Sequence, residues 1–346
     1  MNKLSSYYKL YKLIGPGRNM RILLDMARLI KMRYLVVRFD PNWMCNLRCR
    51  MCYFSGKGYE KNIVPPMDIK LFDKIAADLF PKTRILFMGC GAEPLMSPQF
   101  ADYLDTIGNY SIPHVNIVSN GQLLTEKIVS GMVKNRINQL IVSMDGFCSE
   151  TYESIRTRGN FKKLLDNLKM LKEIKENKNS SLPVLRINFT AMKKNYTEIA
   201  PLIEGAKSLG ISVIRVRPMA HWGGALNYNE EILTSNEYNN ISTELFAKAK
   251  RHGVELLYKG MYDKSSAKNI KNPPPSACMY PWYTIQIRGD GKIRFCPYFD
   301  YGMGDMNTQS FKEFLKSNEV KSLKYNLSNN TNKSCMTKCN GNLGGL

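Results

Sequence analysis

The chain alternates between two apolar rhythms. Six short runs, YLVVRF (34–39), TRILFMG (83–89), HVNIVSN (114–120), QLIVSMD (139–145), VLRINFT (184–190) and SVIRVRP (212–218), are rich in β-branched residues and read as buried parallel strands. Between them lie DIKLFDKIAADLF (68–80), PQFADYLDTIG (98–108), TEKIVSGMVKN (125–135), FKKLLDNLKMLKEIKE (161–176) and YTEIAPLIEGAKSLG (196–210). These space their apolar residues at helical intervals, and the last ends at Gly210, a good helix stop. Strand–helix units in strict order imply a parallel sheet with helical crossovers. The pattern predicts an α/β fold, a partial (β/α)6 TIM-type barrel running from about 34 to 220. In such barrels the chemistry collects where strands hand over to loops, at their C-terminal ends.

Past the sixth run the pattern changes. A helix is predicted near 236–252, then a short VELLYKG (254–260), then a lysine-rich stretch ending in NPPP (272–275), whose prolines mark a boundary. Residues 276–346 hold turn signals, a RGDGKIRF hairpin (288–295) and four cysteines, the makings of a small metal-stapled module. The expected organisation is a basic amphipathic segment over 1–33, the barrel over 34–225, a helical and strand linker over 226–275, and a small C-terminal cysteine-rich cluster-binding domain over 276–346.

Composition adds three constraints. With 346 residues, 44% of them apolar, the chain buries a proper core and is not disordered. No apolar run approaches the ~20 residues needed to span a membrane, and the N-terminus lacks a signal-peptide pattern, so a cytoplasmic protein is expected. Nine cysteines in that compartment point to metal or catalysis more than to disulfides. Net charge is +21, and residues 1–39 carry nine Lys/Arg against Asp25 alone. Within RNMRILLDMARLIKMRY, Ile22, Met26 and Ile30 fall at helical spacing. Such a helix either rests on an anionic membrane surface or polyanionic substrate, peripheral at the inner membrane, or packs its apolar stripe on the body.

The sharpest local feature is WMCNLRCRMCYF, which places Cys45, Cys49 and Cys52 within eight residues in the loop after the first strand. Three thiolates are one ligand short of a closed metal site. Spacing alone fits an iron–sulfur cluster open at one iron or an incomplete zinc site. Position after the first strand of a βα barrel favours the open cluster.

CNLRCRMC followed by Tyr53 resembles the CxxxCxxC signature of the radical S-adenosylmethionine (radical SAM) superfamily. The resemblance continues through the barrel in chain order. MGCGAEPL (88–95) is similar to the family's Gly-Gly-Glu-Pro loop, with Gly89, Gly91 and Glu93 kept and Cys90 and Ala92 interrupting. VSNGQLL (118–124) resembles the strand-three segment, with Ser119 and Asn120, and VSMDGFCSETYESIR (142–156) the strand-four segment. The resemblance implies a [4Fe-4S] cluster on Cys45, Cys49 and Cys52 whose open iron is chelated by SAM. It further implies cofactor-binding roles for Gly89, Gly91, Glu93, Ser119, Asn120, Ser143 and Arg156, with Arg158 as a substitute for Arg156.

The late cysteines resemble the auxiliary-cluster extension called SPASM, or its shortened twitch form. Cys278 and Cys296 flank a hairpin with Pro-Trp and Asp-Gly, and Cys335-x3-Cys339 follows. Four thiolates suffice for one fully ligated second [4Fe-4S] cluster. A zinc ribbon is the alternative, although it normally uses two short pairs and here seventeen residues separate the first pair. Cys90 and Cys148 are expected as small buried residues, with a cavity-facing position as the other reading. His114 and His252 read as structural, whereas His221, Arg186 and Arg217 are candidates for acid/base or anion-binding work at the barrel mouth.

The resemblance implies an enzyme of oxidoreductase or mutase type. It would cleave SAM reductively, abstract hydrogen from a sugar, aminocyclitol or lipid-linked glycan, and oxidise or rearrange it with help from the auxiliary cluster. A flavodoxin- or ferredoxin-type protein would deliver the electrons. Maturation of a ribosomally made peptide is the alternative, but only about 33 residues precede the first strand, short of a leader-binding domain. A metal-stabilised nucleic-acid-binding protein would share the basic charge and the cysteines. It would need no barrel and no open three-cysteine site, and no strand here alternates aromatic and basic residues as a stacking platform does.

Overall fold

The six predicted runs form parallel strands β1 (Leu35–Asp40), β2 (Thr83–Met88), β3 (His114–Ser119), β4 (Gln139–Ser143), β5 (Val184–Ala191) and β6 (Ile211–Pro218). A computed structural model describes residues 18–56, 63–219, 228–258, 278–296, 303–329 and 331. The crossovers are the helices Ile69–Leu79, Phe100–Gly108, Glu126–Lys134, Phe161–Asn177 and Ile199–Gly205. Three of them begin on side-chain caps: Asp68, Thr125 and Asn160 accept from backbone N–H groups of the first turn, satisfying donors that the helix itself cannot. The predicted helix over 196–210 breaks into a 3-10 turn, a short α-helix and a second 3-10 turn, ending at Gly210 with φ +71°. An unpredicted helix, Ser149–Ile155, follows β4; its polar SETYES run masked the two residues, Tyr152 and Ile155, that it buries.

The sheet extends past both ends of the six-strand unit. β7 (Glu255–Tyr258) adds in parallel to β6, and β8 (Thr284–Arg288) adds in parallel to β1. β9 (Lys292–Arg294) and β10 (Gly304–Asp305) follow β8 antiparallel, giving the order β10-β9-β8-β1-β2-β3-β4-β5-β6-β7. The RGDG turn forms the predicted hairpin, with Gly291 at φ +79° and Asn307 Nδ2 donating to the Asp290 carbonyl at 2.8 Å. Thus VELLY and TIQIR, read as linker and C-terminal module, are strands of the barrel's own sheet. Each is a single short run separated from the βα alternation, so periodicity gave no reason to attach it.

Strand alternation divides the sheet into two faces. Leu35, Val37 and Phe39 of β1 and Leu185, Ile187 and Phe189 of β5 enter the core beneath the helices. Their neighbours Arg38 and Asp40, and Arg186, Asn188 and Thr190, take the opposite face. Five strand steps separate β1 from β6, about 24 Å in a flat sheet. Yet Arg50, in the loop after β1, lies over the Tyr228 ring at 5.1 Å, and Met51 packs on the cluster of Met192, Met219 and Tyr228 past the ends of β5 and β6, so the two sides of the sheet approach and it is curled.

The helix Arg18–Leu29 does not pack its apolar stripe on the described body. Ile22, Met26, Leu29 and Ile30 are 49%, 53%, 77% and 66% exposed. No described helix is long and apolar enough to cross a membrane.

Phe72 sits at the centre of the helix–sheet packing, stacked on Tyr103 at 4.4 Å between centroids and tilted on Phe39 at 5.0 Å. Phe72→Ala removes a fully buried ring and leaves a cavity. Urea unfolding should show a loss of about 3–5 kcal/mol.

Candidate active site

The loop after β1 carries the three cysteines and has almost no regular structure of its own. Its shape comes from outside. Arg48 N and Arg50 N donate to the carbonyls of Thr157 and Ile155 at 2.9 Å each, pairing the loop with the segment after helix Ser149–Ile155. Asn42, fully buried, donates from Nδ2 to the Glu93 carbonyl at 3.0 Å and accepts from Met44 N at 2.9 Å. Trp43 stacks on Tyr53, which also packs on Phe54, covering the loop with rings.

Burial pushes the Cys45 thiol up to about 12 and the Cys49 thiol up to about 11, and raises Cys52 as well. Donors are aimed at these sulfurs. Leu47 N lies 3.4 Å and Asn120 Nδ2 4.0 Å from Cys45 Sγ, and Arg156 Nη1 lies 3.7 Å from Cys49 Sγ. Among the described residues no three His, Cys, Asp or Glu side chains are gathered as ligands of a single ion.

Glu93 joins this loop to its neighbours. Its buried carboxylate accepts from Ser119 Oγ at 2.8 Å, Leu95 N at 3.1 Å and Asn120 N at 2.7 Å. Burial pushes the carboxyl up to about 7 even against these donors and the Arg156 charge. Its backbone N–H donates to the Met44 carbonyl at 2.9 Å. The residue so placed is a strut, its oxygens taken up by protein donors. Asp40, ending β1, does the same for the small-residue turn: Oδ1 accepts from Gly91 N at 2.8 Å and Ala92 N at 3.3 Å. Within that turn Gly89 has φ +82°, and a Cβ there would lie 2.5 Å from the Val118 carbonyl oxygen. A Cβ on Gly91 would meet the Trp43 ring at 2.6 Å. Protein already fills the space a side chain would take at both positions, so only glycine lets the turn pack against Val118 and Trp43.

On the fourth side Arg156, nearly buried, pairs through Nη2 with Asp145 Oδ2 at 2.6 Å while Nη1 reaches Cys49. Burial works against its charge, but Asp145 and Cys49 outweigh it and hold the guanidinium protonated. Arg156 Nε is buried without a hydrogen-bond partner among the described residues. Ser143 ends β4, half-buried, in register with Asn188. Arg158 is exposed, so Arg156 is the arginine that reaches the cysteine loop.

The structure therefore gathers Cys45, Cys49, Cys52, Gly89, Gly91, Glu93, Ser119, Asn120, Ser143 and Arg156 at the C-terminal edge of the sheet. Three members escaped the sequence reading: Asp40, Asn42 and Asp145. Each is a short polar residue at or just past a strand's C-terminal end, which was a usable signal. Cys90 and Cys148, expected as buried, are exposed. Cys90 rides on the turn that Asp40 shapes, and Cys148 caps helix Ser149–Ile155 with Sγ 3.3 Å from Glu198 Oε1, so neither reaches the core. His114 opens β3 half-buried and His252 ends a helix at the surface. Arg186, half-buried, and Arg217, exposed, take the strand face opposite the core, and His221 falls outside the described residues.

Cys278 and Cys296 flank β8 and β9. Because Val36 pairs with Thr284 and Gln286 with Arg294, these cysteines lie toward the N-terminal end of β1, opposite the end that feeds the Cys45 loop. Cys335 and Cys339 lie outside the described residues. The fit to an iron–sulfur cluster rests on three thiols, Cys49 buried and Cys45 and Cys52 half-buried, with donors aimed at Cys45 and Cys49 and an orphaned Arg156 Nε beside them.

Comparison with known proteins gives two family matches: the radical SAM superfamily over residues 44–194 and SPASM, an iron–sulfur cluster-binding domain, over 278–341. The chain is 23% identical over 314 residues to the tungsten-containing aldehyde ferredoxin oxidoreductase cofactor-modifying protein of Pyrococcus furiosus, covering 88% of this chain and 79% of that one. It is 24% identical over 307 residues to the AdoMet-dependent heme synthase of Methanosarcina barkeri, covering 80% of each. Streptococcus suis SuiB bound to S-adenosylmethionine shares the fold with TM-score 0.66 at 14% identity, over 86% of this chain and 70% of that one.

Gly89→Ala should strain the turn by φ and by contact with Val118, and Glu93→Gln should set an amide N–H against a fixed donor. Thermal melts should show each variant destabilised by roughly 1–3 kcal/mol. Both should also retain less iron after reconstitution, as read by metal analysis.

Proposed function

The chain is a radical SAM enzyme with a C-terminal SPASM iron–sulfur domain, and we propose that it abstracts hydrogen from a small-molecule substrate and oxidises or rearranges it. A sugar, aminocyclitol or lipid-linked glycan is the favoured substrate. The observation that carries the reading is the convergence of the three cysteines with Asn120, Arg156 and the Gly89–Glu93 turn at one end of a parallel sheet.

When bound, an open four-iron cluster supplies the electron that cleaves SAM to methionine and a 5′-deoxyadenosyl radical, the species that takes hydrogen from substrate. This chain's residues prepare that event. Cys45, Cys49 and Cys52 would hold the irons, and Leu47 N, Asn120 Nδ2 and Arg156 Nη1 are placed to stabilise the thiolates by donating toward them. The Gly89–Glu93 turn would receive the SAM amino group, while Ser143 and Arg156 would serve its carboxylate. Trp43, Tyr53 and Phe54 keep water from the loop. Cys278, Cys296, Cys335 and Cys339 would hold a second four-iron cluster, which would supply an acceptor for an electron from the substrate. Relatives named for cofactor modification and heme synthesis support small-molecule chemistry. SuiB, solved with its precursor peptide, supports a peptide reading only through fold.

We assign electron delivery to a flavodoxin- or ferredoxin-type partner. The exposed Ile22, Met26, Leu29 and Ile30 stripe supports contact with an anionic membrane surface, where a lipid-linked substrate would be met. Phosphatidylglycerol vesicles should co-sediment the protein, and Met26→Asp with Ile30→Asp should release it; equal sedimentation of both would sink the contact.

Anaerobic reconstitution should load about eight irons per chain, falling to about four in the Cys45/Cys49/Cys52→Ala triple variant. Each single Cys→Ala change at these positions should abolish 5′-deoxyadenosine formation. Retained 5′-deoxyadenosine in all three would overturn the assignment.

A further inference from the structure

One row of side chains crosses the inner face of the curled sheet, turned away from the helices. Register places Arg38 of β1 opposite Gln286 of β8 on one side and Phe87 of β2 on the other. Phe87 in turn stands opposite Asn116 of β3, and Asn116 opposite Gln139 of β4. Val37 and Phe39 beside Arg38, and Val115 and Ile117 beside Asn116, enter the core, so alternation puts the row on the other face. Neighbouring strands lie about 5 Å apart, which makes the row contiguous.

The ends of the row are satisfied and its centre is not. Gln286 Oε1 accepts from Arg294 Nε at 3.1 Å, and Gln139 Oε1 from Arg186 Nη1 at 3.5 Å. Between them Arg38 lies over the Phe87 ring at 5.7 Å, with Nε buried and lacking a hydrogen-bond partner among the described residues. Asn116 is 2% exposed, and its Oδ1 likewise lacks a partner there. His114, two residues earlier on that face, neighbours the Asn116 amide without meeting Oδ1 at hydrogen-bond geometry. Two unmet buried groups thus flank one ring, each costing stability until something pairs with it. They are of opposite kind, for Arg38 Nε donates and Asn116 Oδ1 accepts. A phosphate or carboxylate would satisfy the first and repel the second, an ammonium the reverse, and an apolar ligand neither. A hydroxyl both donates and accepts, so a ring that bears several serves both.

The row sits beneath the cysteine site. Arg38 precedes by two residues Asp40, which fixes the Gly91 turn, and Asn116 precedes by four Asn120, which reaches Cys45. With a rise of about 3.3 Å per residue, the row lies about 7–13 Å below those groups, the depth of one small molecule.

We propose that Arg38, Phe87 and Asn116 form a substrate subsite for an uncharged polyhydroxylated ring, a sugar or cyclitol. Arg38 donates to one hydroxyl of that ring and Asn116 accepts from another. This rests on the radical SAM reading above and narrows its substrate class: the ring beneath the cysteine site presents free hydroxyls, and no charged group, at these two contacts.

The test is equilibrium dialysis of radiolabelled myo-inositol, methyl α-glucoside and methyl α-galactoside against the reconstituted enzyme. Wild type should retain at least one of the three, saturably and at one equivalent. Arg38→Met and Asn116→Leu should each weaken that binding roughly tenfold or more. Arg38→Gln, which keeps a donor, and Asn116→Asp, which keeps an acceptor, should fall between. These two hold nearly the native shape and keep the test decisive should the others fail to fold. Lys134→Met and Lys162→Met, on exposed helix faces, should bind as wild type does. Retention of none of the three by wild type overturns the subsite. So does wild-type affinity in the Arg38 and Asn116 variants, or tighter retention of cyclohexanecarboxylate than of every polyol. Measuring 5′-deoxyadenosine on the same preparation separates the two claims. An enzyme that cleaves SAM but ignores the polyols loses the subsite alone, whereas one that binds a polyol and never cleaves SAM loses the reaction.

Discussion

Everything at the C-terminal edge of the sheet hangs on one buried carboxylate. Glu93 accepts from Ser119, Asn120 and Leu95 while its backbone grips Met44 and Asn42, so three loops from three strands share one anchor. Loops have little stiffness of their own. Without a shared anchor, the Cys45 loop, the Gly89 turn and the Asn120 turn would each sample their own conformations. The cost of this arrangement is a desolvated carboxyl, which burial lifts far from its ordinary range. Buried polar groups of this kind are kept where position matters more than net stability.

Asp40 and the Asp145–Arg156 pair repeat the device on either side. All three carboxylates stand at or shortly beyond strand C-terminal ends and bond loop backbone or a cation that touches a cysteine. The sheet supplies the rigid frame, and the struts transfer that rigidity to segments that must stay irregular to wrap an inorganic group.

Much of this was legible in the chain. The six strands and the cysteine loop followed from period and position, because buried parallel strands write near-continuous apolar runs and the Cys45–Cys52 spacing is too tight for chance. Asp40, Asn42 and Asp145 were not singled out, because a polar residue after a strand looks the same whether it caps a turn or braces a site. The attachment of β7 and β8 to the same sheet was likewise hidden: sheet partnership is decided by distant pairing that no local pattern records. Cys90 and Cys148 were misjudged for a related reason. Cysteine's average burial says little about a residue on a turn whose backbone is already tied down.

The pairing of β8 against β1 has a consequence for how the protein comes into being. Val36 and Thr284 are partners across roughly 250 residues of chain, a strongly non-local contact. During synthesis, β1 must wait with one edge open until roughly 250 further residues have left the ribosome. An exposed strand edge beside unfilled thiols is a site for mispairing and oxidation. The nascent chain is thus most vulnerable at the very strand that later feeds its chemistry, and slow or oxygen-exposed expression should lose protein there first.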